Sequence, residues 1–424
     1  MPPRRILIIH QNFPGQFGRL AEALRAQGDQ VVAIGGPRAT QVDGMPMARW
    51  SNRRGTTPGI YEQATRAEAD LIRGTAAALA ARALKERGFV PDLIIAHPQW
   101  GETIHIQAIY PDTPQILFGE LYYRPYGLDS DFDPEFDLPG LEENMRVHAK
   151  NATQALAFTM GARIVSPTRF QADSFPPAFQ PMIEVIHEGV DTGRARRKPG
   201  ATLDLADGQR IDGKRPVVTF INRRFERLRG FHVLMRALPE FLRACPDAQV
   251  VLIGEEKGVS YGRALPDGEE WKDRMLAEVG DRLDMNRVHF LGRVEHDRMI
   301  DALSISWAHV YYTYPFVLSW SLIEAMACEC LVLGSDTAPV RDAIDNGVNG
   351  LLNDFFDVEA LTAAMIRAVR EPRLFDPLRK AARETVLRRF DSAAVGLPAW
   401  LRLIDQVLSA AAHRRSGAGG PTRD

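Results

Sequence analysis

The apolar residues of this chain fall into short continuous runs separated by longer stretches of helical spacing. Ile6–His10, Val31–Ile34, Pro91–His97, Gln115–Phe118, Ile164-Val165 and Ile183–Ile186 are runs of the first kind. A strand covered on both faces reads as such a run, whereas a half-exposed strand alternates apolar and polar residues. Between the first two runs, Gln16–Gln27 places Phe17, Leu20 and Leu24 on one helical face, and Gly28 is set to end it. A long helical pattern covers roughly residues 60–88. Strands alternating with helices predict an α/β protein whose parallel sheet is covered on both sides.

The rhythm breaks between Arg194 and Arg215, a charged stretch containing Gly and Pro with no sustained apolar period. A second series follows, with strands at Val217–Ile221, Gln249–Ile253, Val288–Leu291, Val310–Tyr312 and Leu331–Leu333. Phe231, Leu234, Met235, Leu238 and Leu242 form the stripe of a helix over 231–245. Helical patterns near 358–371, 374–388 and 395–412 close the chain. Two halves of similar rhythm predict two Rossmann-like domains facing across a cleft. The expected division is a first domain over 1–195, a linker over 196–215 and a second domain over 216–390. A helix over 391–412 would return to the first domain, and 413–424 would be a disordered tail.

At 424 residues the chain exceeds one ordinary core. A net charge of -2 provides no basic field for nucleic acid. Cys245, Cys328 and Cys330 are an odd set in apolar surroundings, as in a reducing compartment. No run approaches the ~18 apolar residues of a membrane span. The run after Arg5 is too short for a secretory leader and reads as a first strand. We expect a cytoplasmic protein, with room for peripheral docking at the inner membrane face.

Chemistry concentrates in two segments. Arg223-Arg-Phe-Glu-Arg-Leu-Arg229-Gly230 follows the strand that ends at Ile221-Asn222 and precedes a helix. Ligands of open α/β sheets bind beyond the strands' carboxyl ends, and helix N-termini favour anions. Arg224 and Arg229 add permanent, fork-shaped cations there. The bland alternative is a solvated run of charge. In the second segment, Tyr314-Pro-Phe316 ends a strand and Ser319-Trp320-Ser321 starts a helix carrying Glu324. That carboxylate suits the two vicinal hydroxyls of a ribose. Equally, Ser321-x-x-Glu324 is a capping box, in which Glu324 only satisfies a backbone N–H. His97 stands at a strand's carboxyl end, either as a ligand contact or as a structural hydrogen bonder. Asp129-Ser-Asp131-Phe-Asp133 lacks the glycine and glutamate of a calcium loop and reads as a solvated loop. Glu120, Tyr122 and Tyr123, just before it, either line the cleft or pack in the core.

These segments together resemble a GT-B-fold glycosyltransferase of family 4. Ile6-Leu-Ile-Ile-His-Gln-Asn-Phe-Pro-Gly15 is similar to that family's first strand and glycine-containing acceptor loop. Val185-Ile-His-Glu-Gly-Val-Asp191 resembles the segment before its linker, and Asn222-Arg-Arg224 with Arg229-Gly230 its diphosphate clamp. Val288-His-Phe290-Leu291-Gly292 resembles the strand and turn that hold the base. Glu324-Ala-Met-Ala-Cys328 and Asp345-Asn-Gly-Val-Asn-Gly-Leu-Leu352 resemble two further family segments. The branch it most resembles carries HQNFPGQF and TYPFVLSWS motifs.

The resemblance implies a retaining transfer of a hexosyl group from a nucleotide diphosphate-sugar to a hydroxyl acceptor, without metal or cofactor, of the kind used in polysaccharide biosynthesis. The acceptor would be a glycan, a lipid-linked sugar or a small molecule. It further implies that Arg224, Arg229 and His97 are catalytic. Gly15, Asn222, Gly230, Phe290, Leu291, Ser319, Trp320, Ser321 and Glu324 would bind substrate. Three positions depart from the family. Phe316 stands where a first glutamate contacts the donor sugar, Arg229 where lysine is usual, and Glu329 where glycine is usual. Phe316 keeps open a catalytically weakened protein that only binds the nucleotide-sugar. An epimerase or phosphorylase shares the architecture, but no segment suggests the lysine-bound cofactor of the latter. An NAD enzyme does not fit, because no Gly-x-Gly-x-x-Gly follows either first strand.

Overall fold

The computed structural model describes residues 3–137, 140–206 and 208–417. It divides into two compact units, Met1–Glu188 with Ser392–Asp424, and Gly189–Asp391.

The first unit is built on strands β1 (Arg5–His10), β2 (Gln30–Gly35), β3 (Met47–Arg49), β4 (Leu93–Ala96), β5 (Gln115–Phe118), β6 (Arg163–Ser166) and β7 (Ile183–Val185). They form one parallel sheet in the order β3-β2-β1-β4-β5-β6-β7. Ile6, Leu7, Ile8 and Ile9 are all fully buried, because alternate residues of β1 enter different cores. Ile6 and Ile8 pack with Leu20 and Leu24, while Leu7 and Ile9 pack with Ala77 and Ala81 of the Thr65–Glu86 helix. The chain turns one way from β1 to β2 and the other way to β4. The topological switch point therefore lies between β1 and β4, whose carboxyl ends carry His10 and His97. The helix Leu397–Gly417 belongs to this unit, with Trp400, Leu403, Ile404 and Val407 in the same core as Phe17 and Leu20. Residues 413–417, expected in the tail, continue this helix, and 418–424 lie outside the described residues.

In the second unit, β8 (Leu203–Asp204) and β9 (Arg210–Ile211) pair antiparallel. The main sheet contains β10 (Val217–Arg224), β11 (Gln249–Glu255), β12 (Val288–Phe290), β13 (Ala308–Tyr311), β14 (Leu331–Ser335) and β15 (Leu351–Asn353). All are parallel, in the order β12-β11-β10-β13-β14-β15. Its switch point lies between β10 and β13. The segments 225–230 and 312–319 leave the sheet there, which is why Arg229 and Val317, 88 positions apart in sequence, meet.

The stretch 196–215, expected as the linker, is instead part of this unit. Ala195, Leu203, Leu205 and Ile211 are buried in its core, and the units part at Glu188/Gly189. Two-residue strands among charged residues leave no period for a sequence pattern to reveal. No helix among the described residues is long and apolar enough to cross a membrane.

Candidate active site

In the second unit, the turn Arg227–Arg229 and Gly230 lead into the helix Phe231–Ala244. Gly230 has φ +69°, and a Cβ there would lie 2.3 Å from Cβ of Tyr312. Only glycine lets the helix begin this close to the end of β13. Arg229 is 5% exposed. Its Nη1 donates to Thr313 Oγ1 at 2.8 Å, to the Val317 carbonyl at 3.0 Å and to the Tyr311 hydroxyl at 3.5 Å. Its guanidinium carbon lies 5.4 Å from the Tyr261 ring centre and 5.7 Å from that of Phe316. Among the described residues no carboxylate pairs with it. The nearest glutamate in sequence, Glu226, is spent elsewhere. Its buried Oε2 accepts the N–H groups of Ser260, Tyr261 and Gly262 at 3.3, 3.2 and 2.9 Å, which fixes the loop that carries Tyr261. A buried cation facing only neutral acceptors is under-compensated, and an anion relieves it.

Arg224 does not share this position. Its Nε donates to Glu255 Oε2 at 2.8 Å and its Nη1 to the Val259 carbonyl at 3.0 Å. That pairing holds the Glu255 carboxyl below its ordinary range. The guanidinium expected to clamp a diphosphate is thus already engaged by a carboxylate, one that Arg293 also approaches at 3.6 Å. A register irregularity between Ile221 and Arg224 in the pairing of β10 with β11 sets which neighbour faces Glu255. Arg223 is exposed and makes no ion pair among the described residues.

Ser319 caps the helix Trp320–Ala327, its hydroxyl accepting the N–H of Ser321 at 3.3 Å. The Ser319 N–H donates to the Tyr311 hydroxyl at 2.8 Å, so the helix start and Arg229 meet on one phenol. Ser321 Oγ reaches the Ile221 carbonyl at 3.4 Å, and Trp320 is exposed. With Ser319 as cap, Glu324 stands two positions beyond the residue a capping box uses, so that reading fails. Glu324 Oε1 instead accepts from His296 Nε2 at 2.5 Å, and its carboxylate makes no other hydrogen bond among the described residues. Asn222 is nearly buried in β10. Phe290 lies edge-on to Phe225 at 5.7 Å with Lys272 Nζ 4.4 Å from its ring centre, while Leu291 packs against the core.

In the first unit, His97 is fully buried, stacked on Trp100 at 4.3 Å and edge-on to His10 at 5.3 Å. Its Nδ1 accepts weakly from the Gln99 N–H at 3.4 Å. Nε2 then carries the proton, and it has no hydrogen-bond partner among the described residues, with Glu120 Oε2 at 3.8 Å. Burial, with His10 nearby, pushes His97 well below its ordinary pKa, so the ring is neutral. Burial likewise lowers His10 to about 4. His10 Nδ1 accepts the Asn12 N–H at 3.0 Å, and Nε2 lies 2.8 Å from Gln16 Oε1. Gly15 has φ +48°, and a Cβ would fall 2.4 Å from the His10 ring. Its glycine is needed for that approach.

Two further expectations change. The loop over 129–133 is not simply solvated. Asp133 is 1% exposed and accepts the Glu135 N–H at 3.0 Å, and Asp131 accepts that of Gly127 at 2.9 Å. Glu329 has φ +57°. The Glu329 N–H bonds to Met326 O at 3.1 Å and the Cys330 N–H to Ala325 O at 3.0 Å, a Schellman ending whose left-handed residue is ordinarily glycine. Tyr261, Thr313, Tyr311, Glu226 and His296 were not marked by any local pattern, since each acts through long-range contact.

Two doubly wound parallel sheets, one presenting an unpaired buried guanidinium beside a helix start, define a GT-B architecture. Residues 27–195 match the model of the glycosyl transferase family 4 group, and residues 204–385 that of glycosyl transferases group 1. The chain belongs to this glycosyltransferase family. It is 30% identical over 193 residues to D-inositol 3-phosphate glycosyltransferase of Rhodococcus jostii, a match covering 45% of this chain and 40% of that protein. The chain thus spans about half, or less, of the length of the curated relatives it matches. Sucrose-phosphate synthase from Thermosynechococcus elongatus has a similar fold, with a TM-score of 0.74 at 18% identity over 96% of this chain and 100% of that one. The Anabaena protein HepE, solved with UDP and glucose, gives a TM-score of 0.63 at 17% identity over 96% and 100%.

Proposed function

We propose that the protein transfers a glycosyl group from a nucleoside-diphosphate sugar to a hydroxyl acceptor, with the anomeric configuration retained. The observation that carries this reading is Arg229, a buried guanidinium with no carboxylate partner among the described residues, at a switch point and beside a helix start. When the bond from sugar to phosphate breaks, the leaving diphosphate gains negative charge. A fixed cation there stabilises the transition state more than the ground state. Arg223 is proposed as the second cation in place of Arg224, and the amides of Ser319–Ser321 as further donors. With that electrostatic support the leaving oxygen can itself take the acceptor's proton, so positioning replaces a dedicated base. Glu324 is proposed to accept the ribose hydroxyls. The neutral His97, with its unpartnered Nε2–H, is proposed to donate to a sugar hydroxyl.

HepE's UDP complexes make uridine nucleotides the first donors to try. The inositol phosphate in the relatives' names makes a cyclic polyol the first acceptor class. A panel of nucleoside-diphosphate sugars, read by thermal stabilisation and by release of the nucleoside diphosphate, tests the proposal. Glu324→Gln is expected to raise the KM for the donor severalfold, and unchanged donor kinetics would remove the ribose role. A second reading rests on Phe316, a buried phenyl group that offers a sugar no hydrogen bond. On that reading the panel shows stabilisation without turnover.

A further inference from the structure

We infer that His296 is a positioning residue for the donor's ribose, acting by holding the Glu324 carboxylate in one orientation. This rests on the proposal that Glu324 receives the ribose. The two side chains come from different strand–helix units, His296 being the first residue of the helix His296–Ile305 and Glu324 lying in the second turn of Trp320–Ala327. Nε2 donates to Oε1 at 2.5 Å, a hydrogen bond to an ionised acceptor. The Glu324 side chain is 13% exposed and that of His296 35%, so the pair sits at the edge of the core. His296 Nδ1 is buried without a partner among the described residues, so the one hydrogen bond its ring nitrogens make there is to this carboxylate. Oε2 has no hydrogen bond among the described residues, and Oε1 keeps a second lone pair. Two vicinal hydroxyls can therefore be accepted without breaking the contact with His296.

The consequence is energetic. A free glutamate side chain has three rotatable bonds, and ordering it on binding costs about as much as a tenfold change in affinity. His296 meets that cost before the donor arrives. Its loss should weaken the ground state and transition state equally, since the ribose is remote from the reacting bond. KM then rises and kcat holds. The neighbouring cation does not replace it, because the Arg194 guanidinium is paired with Asp297 at 3.0 Å.

The test uses the full chain and measures Kd for a nucleoside diphosphate and its 2′,3′-dideoxy analogue, with donor kinetics alongside. For His296→Ala we expect the Kd of the ribose nucleotide to rise about tenfold, with the dideoxy analogue unaffected and kcat unchanged. His296→Gln, which retains a donor of similar reach, should restore most of the loss. Equal weakening of both nucleotides, a fall in kcat at unchanged KM, or no rescue by glutamine would overturn the inference. If Glu324→Gln weakens ribose binding while His296→Ala does not, the inference fails and the Glu324 proposal stands. If neither variant changes ribose binding, both fall. A thermal midpoint for each variant separates these outcomes from misfolding.

Discussion

Replacing Arg229 with alanine removes the charge on which the diphosphate site depends. The guanidinium is 5% exposed and held by Thr313, Val317 and Tyr311, so it cannot swing out into water. At about 4 Å, and with an effective dielectric of about 20, one unit of phosphate charge gains roughly 4 kcal/mol from it. Water bound to the free site returns part of that. Hydrogen bonds to charged groups, read by mutation, are worth about 1.5–3 kcal/mol. A loss of about 3 kcal/mol, or roughly a hundredfold in Kd, is therefore expected for nucleoside diphosphates. Nucleosides without phosphate should bind as before. Arg229→Lys keeps a charge but loses the fork, and a loss of about tenfold is expected. Isothermal titration with matched nucleosides and nucleoside diphosphates measures both. The thermal stabilisation by diphosphate, about 2.7 kcal/mol at a hundredfold excess over Kd, should also disappear in the alanine variant. If a folded Arg229→Ala protein binds its best diphosphate within twofold of the wild type, the electrostatic argument is wrong.

Other substitutions probe the scaffold. Glu102 is fully buried with no partner for either carboxylate oxygen from another side chain among the described residues, and burial raises its pKa from 4.5 to about 7 against its own backbone N–H and Arg73. Its folded form keeps the proton that the unfolded chain releases, so stability should fall as pH rises from about 4.5 to 7, by about 3 kcal/mol. Urea unfolding at pH 5 and pH 8 should show Glu102→Gln gaining that amount relative to wild type, and a difference independent of pH would contradict it. Glu329→Gly should stabilise the protein by about 0.5–1 kcal/mol, the left-handed strain relieved less the entropy glycine adds to the unfolded chain. An unchanged or lowered urea midpoint would show that the Glu329 side chain makes up for its backbone.

Local signals determined a large part of this protein. Strands such as β1 and β4 are legible because burial on both faces demands unbroken apolar runs. Gly230 and Ser319 mark helix starts by their own conformational chemistry, which made the surroundings of Arg229 and Glu324 readable without coordinates. The pair β8–β9 escaped because two residues carry no period. Which of two adjacent arginines is free depends on the irregularity in β10, and a sequence cannot report a register. The sequence marks Arg224 and Arg229 alike, and only the fold shows that Arg224 is paired with Glu255. The partners of the site, His296 for Glu324 and Tyr311 for Arg229, come from separate strand–helix units. Side-chain type and local backbone preference are properties of the chain, but a hydrogen bond across 28 or 82 residues exists only once the sheet order brings its ends together.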